Sequence, residues 1–214
     1  MTNPPKSLKV LFIGNSFTAR NNVPGMIAAL AAAQELRFDH RLISAGGASL
    51  RMHWNKGEAL AAIEQGGWDY VVLQEQSTLP VKNATRMHEN VRLFDAPIRA
   101  AGARMALYLT WARRNAAPGA QAAITAAYTS IAEELGATLV PVGLAWERFL
   151  REHDEPVLHD KDMSHPTLAG SYLAACVFFA VLLRRSPVGI AAEIKSLSAE
   201  AAALLQRTAA VVSA

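Results

Sequence analysis

Short apolar runs alternate along this chain with longer stretches whose apolar positions recur every three to four residues. The runs Leu8–Ile13, Arg37–Ile43, Asp69–Leu73, Arg104–Leu109 and Ala137–Val142 read as strands, the first of them closed by the turn pair Gly14-Asn15. Between them, Val23–Leu36 reads as a helix with Pro24 in its first turn, and Lys56–Gln65 as one stopped by Gly66-Gly67. In Thr85–Ala101 the residues Met87, Val91, Phe94, Ile98 and Ala101 form a helical stripe, and Pro97 inside it predicts a kink or a break. Ala120–Leu135 is a helix ended by Gly136, and Leu144–Arg151, Leu168–Arg185 and Ala191–Val212 follow as further helices. Five strands alternating with helices predict an α/β fold: a three-layer α/β/α sandwich around a five-stranded parallel sheet of the flavodoxin-like kind. No repeat or low-complexity linker divides the chain, so residues 1–214 are expected to form one domain.

Composition narrows the function classes. Hydrophobic residues make up 51% and charged residues 18% of the 214, enough for a large core and incompatible with a disordered chain. Twenty-one Lys and Arg against 18 Asp and Glu leave a net charge of +3, with no basic run longer than two residues, so nucleic-acid binding lacks its basic stripe. The apolar run Leu173–Leu183 has eleven residues, short of the roughly 18 that span a bilayer. The single cysteine, Cys176, excludes an intrachain disulfide and reads as a buried, inert thiol. Residues 1–6 show no basic stretch leading into a signal-length apolar segment. The expectation is a cytoplasmic protein with neither membrane nor nucleic acid as partner.

In open parallel sheets, sites form in the loops beyond the carboxyl ends of the strands. In the first such loop, Gly14-Asn15-Ser16-Phe17-Thr18 sets a serine between a buried strand and a helix. Gly14 permits a sharp turn, and N–H groups at the helix start favour a negative oxygen near Ser16. A helix-capping serine is the plainer reading. The chain lacks Gly-x-x-x-x-Gly-Lys, Gly-x-Gly-x-x-Gly and Gly-x-Ser-x-Gly in this loop, which leaves phosphate-loop, dinucleotide and α/β-hydrolase readings unsupported. In the last loop, Asp162 precedes His165 by three residues. That spacing lets a carboxylate turn back onto the imidazole and set its tautomer, as a general base requires. A solvated acidic turn with Thr167 capping the next helix is the plainer alternative. His159, Asp162 and His165 lack the helix-borne ligand pair of a zinc site, so no metal is expected.

Together, Gly14-Asn15-Ser16-Phe17-Thr18 and Asp162-Met163-Ser164-His165-Pro166 resemble the first and last blocks of the SGNH (GDSL-like) hydrolase superfamily, Gly-Asp-Ser and Asp-x-x-His-Pro. Gly46-Gly47-Ala48-Ser49 resembles the second block, with Gly47 the better match to the glycine whose N–H helps form the oxyanion hole. The third block is normally Gly-x-Asn-Asp. Here the strand runs into Gln74-Glu75-Gln76-Ser77, similar to branches that place a glutamine there. The resemblance spans Leu8 to about Arg185 and looks closest to bacterial members. It implies a serine hydrolase that cleaves a small-molecule carboxylic ester through an acyl-enzyme, without a cofactor. Short acyl or acetyl esters, including those on carbohydrates, are the implied substrates. Ser16 would be the nucleophile, His165 the base and then the acid, and Asp162 the group that orients His165. The N–H groups of Ser16 and Gly47, with the amide of Gln74 or Gln76, would hold the oxyanion. Strand parity separates neighbours but not residues two apart, so it does not choose between the glutamines. Gln74 is preferred because it directly follows the strand.

Two other classes compete. A non-catalytic sugar- or acyl-binding module on the same fold is favoured by the missing third-block asparagine. A flavin or nucleotide binder would suit the sheet but has no phosphate-loop signature. His53 reads as a surface or packing residue in preference to a pocket one, Trp54 and Trp111 as either an apolar platform or core, Arg113-Arg114 as a solvated loop in preference to a contact for an acidic substrate, and Glu75 as a local ion-pair partner.

Overall fold

The computed structural model describes residues 6–191 and 196–213. Its strands are β1 Ser7–Gly14, β2 Arg37–Ser44, β3 Tyr70–Leu73, β4 Arg104–Tyr108 and β5 Thr138–Val140. They form one parallel sheet in the order β2-β1-β3-β4-β5. The helices, in chain order, are α1 Ser16–Ala19, α2 Val23–Ala32, α3 Leu50–Lys56, α4 Glu58–Glu64, α5 Leu79–Lys82, α6 Ala84–Ala100, α7 Ala120–Leu135, α8 Val142–Glu152, α9 Leu168–Leu183 and α10 Ala199–Val212.

Successive strand side chains point to opposite faces, and here both faces are apolar. Val10, Phe12, Tyr70, Val72, Ala106 and Tyr108 pack with α2, α8, α9 and α10, whereas Leu11, Ile13, Val71, Leu73, Met105 and Leu107 pack with α3, α4, α6 and α7. Helix α9 lies between the sheet and its neighbouring helices, which accounts for the all-apolar run around Cys176. That thiol is fully buried, and burial pushes its pKa up. Among the described residues, no helix is long and apolar enough to cross a membrane.

Three elements differ from the sequence reading. The helix expected over Lys56–Gln65 is α4, which starts after Gly57 at φ +76°, a backbone state that glycine adopts without strain, and a further helix, α3, precedes it where none was expected. Helix α3 begins where Ser49 accepts a hydrogen bond from the N–H of Met52 at 3.3 Å. At Pro97 α6 does not break. The proline lies in the last turn, and buried Phe94 and Ile98 hold that turn against the sheet. The expected start of the last helix at Ala191 leads into residues 192–195, outside the described residues, and α10 itself begins after Ser198.

The strand order reverses direction between β1 and β3, so the loops leaving these two strands diverge and open a crevice at the carboxyl edge. Ser16 follows β1 and Gln76 follows β3, which puts both at that crevice.

Candidate active site

The turn after β1 is built by Asn15. Its side-chain oxygen caps α1 by accepting from the N–H of Phe17 at 3.0 Å, and its amide donates to the carbonyl of Ala48 at 3.1 Å. Its backbone N–H donates to Gln74 Oε1 at 2.9 Å. Capping therefore falls to Asn15 and not to Ser16, which corrects the plainer reading of that serine. Ser16 is the first residue of α1, and its hydroxyl lies 2.8 Å from His165 Nε2, 149 residues along the chain. His165 Nδ1 lies 2.5 Å from Asp162 Oδ2, and the other carboxylate oxygen accepts from the N–H groups of Ser164 at 3.0 Å and His165 at 2.9 Å. The bond to His165, followed by these two backbone donors, holds the Asp162 carboxyl well below the usual carboxylate range.

The loop that carries Asp162 and His165 is tied to the rest of the crevice on both sides. Arg20 pairs with Asp160 at 2.5 Å, and the Asn21 amide donates to the carbonyl of Thr167 at 3.1 Å and to Ser171 Oγ at 2.9 Å. From the other side, Trp111 Nε1 donates to the carbonyl of Ser164 at 3.0 Å, and the N–H of Arg114 to that of Met163 at 2.9 Å. His159 is turned inward. It donates from Nε2 to the carbonyl of Ala112 at 3.0 Å and stands edge-on to Trp146, with its pKa lowered by burial. Among the described residues, no group of three or more His, Cys, Asp or Glu is placed to hold a metal ion.

A cleft of about 120 Å³ opens over Ser16, bordered by Gly47, Gln76, Ser77, Arg113, Ser164 and His165. The backbone N–H groups of Ser16 and Gly47 have no acceptor among the described residues. Gly47 stands at φ +65°, in the left-handed region. The two glutamines divide sharply. Gln76 Oε1 accepts from the N–H and Oγ1 of Thr78 at 2.9 and 3.0 Å and from the N–H of Leu79 at 3.0 Å. Three donors on one atom identify it as the oxygen, and the Nε2 group, at the cleft, has no hydrogen-bond partner among the described residues. Gln74 is fully buried: its Oε1 accepts from the N–H of Asn15 and from Thr18 Oγ1, and its Nε2 donates to the carbonyl of Glu75. The preference for Gln74 is thus corrected. Gln74 braces the turn from below, and Gln76 is the glutamine of the cleft.

Several supporting residues have roles that the sequence reading missed or left open. Among the described residues Glu75 has no ion-pair partner. It is fully buried, accepts from the N–H groups of Leu50 at 3.0 Å and Gln76 at 2.6 Å, and takes the Asn90 amide at 2.8 Å. Burial raises its pKa. One carboxylate thereby joins the second-block loop, the third-block loop and α6. His53 is also buried; its Nε2 donates to the carbonyl of Gly14 at 2.7 Å, and burial lowers its pKa. Trp54 packs edge-on against Phe94, and Trp111 is stacked between Phe17 and Trp146 with centroids 4.5 and 3.9 Å apart. Both tryptophans belong to the packing and not to an open platform.

A parallel sheet in this order, with a serine, a histidine and an aspartate linked by hydrogen bonds over its carboxyl edge, defines an α/β/α sandwich with a candidate catalytic site where the strand order reverses. No protein-family model and no curated protein matches the chain. Solved structures do match it. A Slackia heliotrinireducens protein assigned to the SGNH hydrolases is 29% identical, with a TM-score of 0.72, over 82% of this chain and 98% of that one. A DUF4886 family protein from Bacteroides uniformis is 22% identical, with a TM-score of 0.80, over 96% of this chain and 94% of the other. A variant of Axe2, an acetyl-xylooligosaccharide esterase from Geobacillus, is 19% identical, with a TM-score of 0.62, over 82% of this chain and 94% of its own. The chain belongs to the SGNH hydrolase superfamily.

Proposed function

We propose that this protein is a serine hydrolase that cleaves short-acyl carboxylic esters of small molecules, acetyl esters of carbohydrates among them, through an acyl-enzyme. The observation that carries the reading is the chain of hydrogen bonds from Ser16 Oγ to His165 Nε2 at 2.8 Å and from His165 Nδ1 to Asp162 Oδ2 at 2.5 Å. Ser16 attacks the ester carbonyl as His165 takes its proton, and His165 then returns that proton to the leaving alcohol. Water repeats the sequence on the acyl-enzyme and frees the acid. Asp162 holds the imidazole in the tautomer that leaves Nε2 free to accept, and stabilises the imidazolium. The N–H groups of Ser16 and Gly47 and the Gln76 amide, all without acceptors among the described residues, are the donors for the oxyanion.

The small cleft supports the short-acyl reading: about 120 Å³ falls below the roughly 300 Å³ at which pockets for drug-sized ligands begin. The likeness to an acetyl-xylooligosaccharide esterase supports acetylated sugars as one substrate class. The test is a series of 4-nitrophenyl esters of increasing chain length, together with acetylated sugars, run with wild type and Ser16→Ala. Turnover should be restricted to short acyl chains and disappear in Ser16→Ala. Because Asn15 caps α1, the variant should keep its melting temperature. Undiminished turnover by folded Ser16→Ala would overturn the proposal.

A further inference from the structure

A second hollow, of about 300 Å³, lies beside the cleft, between α5 and the loop that enters α7. It shares Ser77 and Arg113 with the cleft over Ser16, so the two spaces adjoin. Its walls are apolar, formed in part by Val81, Pro118 and Ile124, and no carboxylate borders it or the cleft. Two cations stand at its edge, Lys82 and Arg113, both exposed. Neither side chain has an acidic partner among the described residues, whereas Arg20, Arg92, Arg99 and Arg148 each face a carboxylate.

We propose that this hollow is the acyl subsite, and that it selects esters whose acyl chain is a short apolar segment ending in a carboxylate, with Arg113 and Lys82 receiving the charge. The inference rests on the reading of Ser16 as nucleophile. His165 must reach the leaving oxygen, so the alcohol lies on the side of Ser164 and His165. The hollow borders neither of those residues and opens from Ser77 and Arg113, which leaves it for the acyl half of the ester. An apolar wall takes the methylenes, and the guanidinium fork matches a terminal carboxylate. Both cations are wet, so each contributes modestly, about two- to fivefold in kcat/KM, and the contribution is screened by salt.

The test compares 4-nitrophenyl hydrogen adipate with 4-nitrophenyl methyl adipate, which share a chain and differ in the terminal charge. The expected result is a kcat/KM ratio, anionic over neutral, of about three or more at low salt, falling toward one in 0.5 M sodium chloride. Arg113→Glu and Lys82→Glu should each lower that ratio about two- to fivefold, mainly through KM, and the double variant should bring it below one. A wild-type ratio at or below one, or an unchanged ratio in a double variant of native melting temperature, overturns the proposal. The salt series on wild type needs no variant to fold. Ser16-dependent cleavage of 4-nitrophenyl acetate separates the two layers of the reading. If acetate is cleaved but the adipate ratio stays at or below one, the acyl subsite fails alone. If no ester is cleaved, the nucleophile reading fails and the subsite falls with it.

Discussion

Replacing Gln76 and Gln74 by alanine, one at a time, should separate catalysis from stability within a single loop. In Gln76→Ala the cleft keeps the N–H groups of Ser16 and Gly47 but loses Nε2, the third donor. One oxyanion donor is typically worth about 10²–10³ in kcat, or about 2.7–4 kcal/mol. The same substitution frees the N–H of Thr78 in a half-buried loop where water takes the place of Oε1, while the N–H of Leu79 keeps its bond to the carbonyl of residue 76 at 3.0 Å, so stability should change by less than about 1 kcal/mol. Gln74→Ala acts in the opposite sense. It strips the acceptor from the N–H of Asn15 and from Thr18 Oγ1, both buried. Each buried donor left unpaired costs about 1–3 kcal/mol, or about 2–6 kcal/mol for the two. That is a large share of the roughly 5–15 kcal/mol that holds a domain folded. The assay is steady-state kcat on 4-nitrophenyl acetate alongside the urea midpoint of each variant. A kcat for Gln76→Ala within threefold of wild type would remove the glutamine from the oxyanion hole. A Gln76→Ala protein as destabilised as Gln74→Ala would show that both residues serve structure only.

Asp162→Asn should lower kcat by about 10³–10⁴ with little change in KM, because an amide facing His165 Nδ1 favours the wrong tautomer while the backbone bonds to Oδ1 survive; a loss confined to KM would contradict the orienting role. Stability should fall as pH drops from 7 toward 5. His53 and His159 are buried with lowered pKa values, so the unfolded chain takes up protons below pH about 6.5 that the folded chain refuses. Each histidine contributes at most about 1.4 kcal/mol per pH unit to that slope. Glu75, with its raised pKa, works against them over the same range but is one group against those two and His40, whose pKa is also lowered by desolvation. Below that range Asp162 joins the loss, since its depressed pKa means that stability disappears as it is protonated. A urea midpoint that is flat or rising between pH 7 and 5.5 would contradict this balance.

Much of the fold was legible from local pattern. Val10-Leu11-Phe12-Ile13 is apolar on both parities, which is what a strand covered on both faces requires, and α7 runs over the residues its composition and Gly136 mark out. Helix α3 was not legible, because seven residues that include Arg51, His53, Asn55 and Lys56 carry too little periodicity to stand out from a loop. The break expected at Pro97 was a local rule overruled by packing: one lost hydrogen bond near a helix end weighs less than the burial of Phe94 and Ile98.

The sequence by itself determined which loops hold the candidate site and which residue types stand in them. Ser16 and Gly47 follow strand ends, and Asp162 lies three residues before His165, spacings that short-range geometry controls. Choices between near neighbours were left to the tertiary structure. Asn15 rather than Ser16 caps α1 because the Asn15 backbone is extended at φ −133°, ψ −154°, and its amide finds the carbonyl of Ala48 on another loop. Gln76 rather than Gln74 faces the cleft because Thr18 and the N–H of Asn15, 56 and 59 residues away, draw Gln74 beneath the turn. Glu75 is a buried strut and not a surface charge because Leu50 and Asn90 supply donors from 25 and 15 residues away. Backbone propensity and spacing act over a few residues and are written in the order of the chain. The aim of a buried polar side chain is set by whichever donors and acceptors the fold brings opposite it, and those come from positions that the local sequence does not name.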